Sequence, residues 1–255
     1  MNLLPISRRP NAVLRVLDLF SGIGGFSLGL ERAGGFKTVA FCEIEPYCRA
    51  VLKKHWPDVR CFDDIRKLCA ADIERVDVIC GGFPCQDISV AGKGAGLAGE
   101  RSGLWREYAR LVGEIRPKYV IVENVTALLG RGLGDVLGDL ASCGYDAEWD
   151  CIPAGAIGAI HQRDRVWILA YPGEMRGARR FPKAFPKQPG FSWCKDVRRT
   201  EDIPHRPDLY PSMLCRGGDG IPSRVDRTGA VGNAVVPQIP EIIGKAIMRA
   251  EGMIE

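Results

Sequence analysis

The run Val76-Asp77-Val78-Ile79-Cys80 is short, mostly β-branched and apolar, and it leads directly into Gly81-Gly82-Phe83-Pro84-Cys85-Gln86. Such a run is expected of a central strand covered on both faces. Pro84 has no amide proton to give a ladder, so the strand must end before it. The residues from Asp87 to Arg101 are polar and carry Gly92, Gly94, Gly96 and Gly99, which predicts a loop. Cys85 therefore stands at the mouth of a strand and at the start of a glycine-rich loop, a place suited to a nucleophile as well as to a packed thiol.

Further strand-like and helix-like segments alternate up to Pro172. Strands are expected over 14–20, 37–43, 76–81, 119–123, 147–152 and 166–170, and helices over 26–33, 46–55 and 104–115. That alternation predicts an α/β fold with a mostly parallel sheet and helices on both faces. After Pro172 the periodicity fades. From Tyr171 to Gly229 the chain holds twelve Lys/Arg against seven Asp/Glu and eight of its seventeen prolines, so a net charge of +4 is concentrated in one segment. Phe181, Phe185, Phe191, Trp193 and Tyr210 are interleaved with those cations, and the stretch reads either as a solvated loop or as a surface that meets phosphates. An amphipathic helix resumes at 237–251 through Ile239, Ile242, Ile243, Ala246 and Ile247. The expected organisation is a catalytic and cofactor-binding domain over 1–172, a small target-reading region over 173–229, and a C-terminal segment over 230–255 that returns to the first domain.

Ten cysteines suggest zinc or disulfides, but their spacing contains no C-x-x-C and only three histidines accompany them. Reduced thiols, no metal and a cytoplasmic location are the expectation. No apolar run approaches the length of a membrane span, and the start of the chain lacks the charge order of a signal peptide.

Between the first strand and the first helix lies Asp18-Leu19-Phe20-Ser21-Gly22-Ile23-Gly24-Gly25-Phe26. A glycine-rich turn there can bring backbone close to a ligand, although it fails the G-x-G-x-x-G spacing of a nicotinamide site, because Ser27 takes the sixth place. Glu43 follows at the end of the second strand, where an acid can take ribose hydroxyls, and Asp63-Asp64-Ile65 could offer a carboxylate to an exocyclic amine. Together these predict an adenosine pocket.

Three more segments complete a pattern: Glu123-Asn124-Val125, Arg163-Asp164-Arg165 and Gly232-Asn233-Ala234-Val235-Val236-Pro237. With Asp18 to Phe26 and Gly-Phe-Pro-Cys-Gln, and in this order, the chain resembles the DNA (cytosine-5) methyltransferases, and Leu214 to Arg227 looks like their compact phage and prophage members. The resemblance implies a Rossmann-like fold, S-adenosylmethionine as methyl donor with S-adenosylhomocysteine as product, double-stranded DNA as partner, and a monomer. It makes Cys85 the nucleophile, Glu123 the acid that engages the base, and Arg163 and Arg165 the arginine motif, with Arg165 touching the extruded cytosine. Phe20, Ser21, Gly22, Gly24, Gly25, Glu43, Ile44, Asp64, Ile65, Pro84, Leu104, Asn233, Ala234 and Val235 fall at cofactor positions. Gln86 and Ser89 fall in the loop that closes on DNA. Two departures stand out: Ile160-His161 replaces the Pro-Gln of many members, and Ile44 stands where others have an aromatic. The tRNA-directed members carry Cys-Phe-Thr in the target region, which is absent here; a non-catalytic binding module is the other alternative, against which Cys85, Glu123 and Arg165 argue.

The basic segment generates a test. Replacing Arg179, Arg180 and Lys183 together by Ala should weaken duplex DNA binding and flatten its salt dependence, by about one unit of log–log slope for each phosphate that is no longer neutralised. Binding titrations across a salt series check this, and an unchanged slope would mean that these cations face solvent.

Overall fold

The computed structural model describes residues 13–84, 103–157, 163–176 and 234–254. Seven strands form one sheet in the order β3-β2-β1-β4-β5-β7-β6: β1 (Leu14–Leu19), β2 (Phe36–Cys42), β3 (Arg60–Phe62), β4 (Val78–Gly81), β5 (Tyr119–Val125), β6 (Tyr145–Pro153) and β7 (Asp164–Pro172). The first five run parallel, and β7 runs antiparallel to both β5 and β6. Among the described residues the α-helices are α1 (Gly25–Ala33), α2 (Pro46–His55), α3 (Gly103–Ile115), α4 (Leu128–Arg131), α5 (Leu133–Ser142) and α6 (Gln238–Ala250). The expectation of a mostly parallel α/β sheet is met. β3 is three residues long and α4 four, too short to show a period, whereas α5 carries Leu133, Val136, Leu137 and Leu140 at helical spacing, a helix that was not among those expected.

Alternating side chains divide the sheet into two apolar faces. Leu17, Leu19, Ile79, Val120, Val122 and Ile168 pack under Trp105, Tyr108, Leu111 and Val112 of α3 and Val136 and Leu140 of α5. Leu14, Val16, Val78, Ile121 and Leu169 pack under Phe26 and Leu30 of α1 and Ile239, Ile243 and Ile247 of α6. The Tyr108 hydroxyl donates to the Ile121 carbonyl at 3.1 Å, fixing α3 to β5 within the central ladder. α6 lies directly on α1, in keeping with the apolar stripe near the chain's end. Among the described residues no helix is long and apolar enough to cross a membrane.

The α1–α6 contact is close enough to depend on glycine. A Cβ on Gly29 would stand 2.1 Å from the Pro237 carbonyl oxygen and 2.9 Å from Pro240 Cβ. Backbone cannot yield as a flexible side chain would, so Gly29→Ala should destabilise the fold by about 1–3 kcal/mol, the usual cost of overpacking. Urea melts of the parent and the variant measure it, and equal midpoints would show that α6 shifts without penalty.

Candidate active site

All the loops that carry the site leave the same edge of the sheet, because parallel strands share the direction of their carboxyl ends. β1 delivers Phe20 to Gly25, β2 delivers Glu43 and Ile44, β3 delivers Asp63 to Arg66, and β4 delivers Gly82 to Pro84. The reversed strand β7 starts at this edge, so its first residues face the last ones of β5.

That reversal builds an ion pair. Register sets Arg165 opposite Val125 and Trp167 opposite Glu123, which makes Arg165 a diagonal, same-face neighbour of Glu123. Arg165 Nε donates to Glu123 Oε1 at 2.9 Å. Glu123 is 8% exposed, and burial pushes its carboxyl above the ordinary range while the charges of Arg165 and Arg163 pull the other way. Burial and the like charge of Arg165 in turn hold the Arg163 guanidinium below its usual value. Desolvation and two cations thus oppose each other on Glu123, the balance that suits a group required to share a proton.

The exit from β4 is fastened beside this carboxylate. A Cβ on Gly82 would lie 2.8 Å from Glu123 Oε2, so a side chain there would displace the carboxylate that Arg165 holds. Asn124, buried next to Glu123, donates from Nδ2 to the Phe83 carbonyl at 3.1 Å and accepts the Val125 amide at 2.8 Å. The Phe83 ring packs against Trp105 with centroids 5.2 Å apart, and the Trp105 indole donates to Asp139 Oδ2 at 2.8 Å. Asn124 belongs to a motif of the sequence, but its role as the tie between the β5 end and the β4 exit is invisible there, since it depends on a contact with residue 83. Cys85 follows Pro84 in sequence; Cys85, Gln86, Ser89, Arg179, Arg180, Lys183 and Asn233 lie outside the described residues.

A cleft of about 560 Å³ opens on the other side of this edge. Phe20, Cys42, Ile44, Ile65, Pro84, Gly103 and Leu104 line it with apolar surface, and Asp63, Asp64, Arg66 and Glu107 supply charge. Six of the residues expected at cofactor positions therefore share one cavity: Phe20, Ile44, Asp64, Ile65, Pro84 and Leu104. Ile44 is 60% exposed, an apolar side chain turned toward open space. Arg66 binds Asp64 with two nitrogens, Nε to Oδ1 at 2.9 Å and Nη2 to Oδ2 at 2.9 Å, and holds the Asp64 carboxyl below its usual value.

The remaining expected residues form the glycine turn and its braces. Phe20 and Gly22 have φ of 52° and 53°, and Gly24 has 87°. Phe20 is the costly one, since a side chain rarely adopts that region. The Glu43 carboxylate accepts the Gly22 amide at 2.7 Å on Oε2 and the Glu45 amide at 2.8 Å on Oε1. Ser21 Oγ donates to the Asp18 carbonyl at 2.6 Å. Gly24 lies against Trp56 and Leu52, and Gly25 against the Val235 carbonyl oxygen, which brings the Ala234-Val235 segment onto the start of α1. Arg49 of α2 donates to the carbonyls of Glu43 at 3.2 Å and Ile44 at 2.6 Å.

The described cysteines nearest the site, Cys42, Cys48 and Cys80, are poor nucleophiles. Burial pushes the Cys42 thiol up to about 12 and Cys48 up to about 11, and it holds the fully buried Cys80 thiol far above its usual value. A thiol must ionise to attack, so Cys80, five residues before Cys85, is inert by position. No disulfide links the described cysteines, and no group of His, Cys, Asp and Glu among the described residues is arranged to hold a metal.

This sheet with its reversed β7 and its cleft at the carboxyl edge is the Rossmann-like methyltransferase fold. Spodoptera frugiperda DNMT2 shares it with a TM-score of 0.55 at 21% identity, covering 64% of this chain and 51% of that one. A prophage-encoded protein of E. coli described as a DNA modification methyltransferase also aligns with a TM-score of 0.55, at 26% identity over 64% of this chain and 48% of its own. Residues 14–205 match the C-5 cytosine-specific DNA methylases, and the chain belongs to that family. The type II methyltransferase M2.BsuMI of Bacillus subtilis is 36% identical over 165 residues, 62% of this chain and 42% of that protein. M.CviJI of Paramecium bursaria Chlorella virus IL3A is 38% identical over 159 residues, 61% of this chain and 42% of that protein. The chain thus spans less than half the length of these two relatives.

Asp18, at the foot of the glycine turn, offers a test by titration. It is wholly buried; its Oδ2 accepts the Ser27 hydroxyl at 2.7 Å and the Ser27 amide at 3.3 Å, and its Oδ1 has no hydrogen-bond partner among the described residues. Burial raises the carboxyl from 3.8 to about 8, against the hydrogen bonds from Ser27. The folded protein then holds a proton that the unfolded chain gives up near pH 4, so stability falls as pH rises from about 4 to about 8 and levels off above. Asp18→Asn keeps the shape without the ionisation. Relative to the parent, the variant should gain stability steadily between pH 5 and pH 8 in urea melts, and a constant difference across that range would contradict the assignment.

Proposed function

We propose that the protein transfers a methyl group from S-adenosylmethionine to carbon 5 of cytosine in duplex DNA, through a covalent bond between Cys85 and carbon 6 of the base. The observation that carries this reading is the buried Glu123–Arg165 pair, set beside the β4 exit that leads into Pro84-Cys85. Carbon 5 of cytosine is a weak nucleophile. Attack of the Cys85 thiolate at carbon 6 turns the ring into an enamine, whose carbon 5 can accept a methyl group. Glu123 would share its proton with N3 as negative charge develops on the ring, and its raised pKa favours that task. Arg165 would hold O2 and offset the same charge. Loss of the carbon 5 proton and departure of the thiolate then restore the aromatic ring. The base must leave the helical stack to reach these groups, at a cost of a few kcal/mol.

S-adenosylmethionine, when bound, supplies an electrophilic sulfonium methyl. The cleft fits its adenosine half: Phe20, Ile44, Ile65, Pro84 and Leu104 give an apolar slot, with Asp64 for the exocyclic amine. Each Glu43 oxygen gives one lone pair to a backbone amide and keeps another for ribose hydroxyls. Ser21, Gly22, Gly24, Gly25, Asn233, Ala234 and Val235 would surround the methionine half. Gln86, Ser89, Arg179, Arg180 and Lys183 would meet DNA.

A duplex with 5-fluorocytosine at the target, located first by bisulfite sequencing of DNA treated with the enzyme, tests the mechanism. Fluorine cannot leave as a cation, so the reaction stalls with protein bound to DNA. The parent should form an adduct stable to denaturing gels and mapped to Cys85. Cys85→Ser should form none, and Glu123→Gln should form it at least about 100-fold more slowly. An adduct on another cysteine, or turnover of Cys85→Ser at the parent rate, would overturn the proposal.

A further inference from the structure

The two walls of the cleft are joined by one guanidinium. One wall is the loop after β3, with Asp64 and Ile65, and the other is the first turns of α3, with Gly103, Leu104 and Glu107. β3 is a three-residue edge strand, so its following loop receives little support from the sheet. Arg110 of α3 supplies it: Nη2 donates to the Ile65 carbonyl at 3.1 Å and to the Leu68 carbonyl at 2.9 Å. The rest of the fork is aimed by carboxylates on its own helix, with Nε on Glu107 Oε2 at 2.7 Å and Nη1 on Glu114 Oε1 at 2.8 Å. Those partners lie three residues before and four residues after Arg110, on the same helical face. They orient the planar group, which leaves Nη2 directed across to the loop.

We propose that Arg110 is a positioning residue for the cofactor, clamping the loop after β3 to α3 and so setting the width of the cleft. This rests on the reading of the cleft as the adenosine site. Arg110 touches no reacting atom. Its work is to keep Ile65 and Asp64 at a fixed distance from Leu104, so that a flat ring between them meets both walls without first ordering the loop. Surface arginines flanked by Glu at i−3 and i+4 ordinarily add only helix stability; the two loop carbonyls make this one different. Its loss should therefore appear in cofactor affinity and leave the chemical step intact.

The test uses the full chain, calorimetric titration with S-adenosylhomocysteine, and steady-state methyl transfer to duplex DNA with S-adenosylmethionine. Arg110→Ala should raise Kd by about tenfold or more, the loss expected for two hydrogen bonds from a charged donor. KM for the cofactor should rise in step, with kcat at saturation and KM for DNA each within about twofold. Arg110→Lys keeps a cation that can reach one carbonyl, so its Kd should fall between those of the parent and Arg110→Ala, and it carries the test if Arg110→Ala does not fold. Lys245→Gln breaks an exposed i,i+4 pair with Glu241 on α6, which does not line the cleft, and should leave Kd within about twofold. A lowered melting temperature with parent Kd in Arg110→Lys, or a fall in kcat with cofactor affinity unchanged, would overturn the proposal. A parent that binds no S-adenosylhomocysteine would instead overturn the reading of the cleft, whatever the Arg110 variants do.

Discussion

Everything at the candidate site hangs from the central ladder β1–β4–β5, whose side chains are buried on both faces. Gly81 of β4 passes so near β1 that a Cβ would stand 2.3 Å from the Leu19 carbonyl oxygen, and a Cβ on Gly82 would crowd the Glu123 carboxylate at 2.8 Å. These two glycines let three strand ends converge. Their convergence brings the glycine turn, the β4 exit and the acid of β5 to one edge, where each could otherwise be separated by the bulk of a side chain.

Placing Glu123 at that edge carries a cost, because a carboxylate out of water loses its hydration. The fold answers with β7. Running it against β5 returns Arg165 to the same face within reach of the carboxylate, and Arg163 adds charge nearby. The outcome is an acid with a raised pKa that is still held by a cation. Neither burial alone nor an exposed ion pair would produce that combination.

The cleft shows a different solution to a similar problem. The loops after β2 and β3 leave the thin edge of the sheet, where few ladder bonds remain to hold them. Guanidinium groups from α2 and α3 replace the missing bonds: Arg49 grips the Glu43 and Ile44 carbonyls, and Arg110 grips those of Ile65 and Leu68. Helix-borne donors can order loops in this way because each stem packs on the body of the protein while the planar head reaches several acceptors.

Much of this was legible in the sequence. Apolar runs mark β1, β2, β4 and β5, with glycine and proline closing β4, since those signals are local, and the ordered motifs single out Glu123, Arg165 and six of the residues that come to line the cleft. The three-residue β3 was not legible, because a strand that short has no period to detect. The tie from Asn124 to Phe83 and the clamp of Arg110 differ in kind from those local signals. Asn124 and Arg110 act on carbonyls 41 to 45 residues away, and backbone carbonyls look alike in any sequence. The chain by itself determined which groups are present and on which strand ends they sit; only tertiary structure decided which of them touch, because that depends on the direction of β7 and on how closely α3 approaches an edge loop.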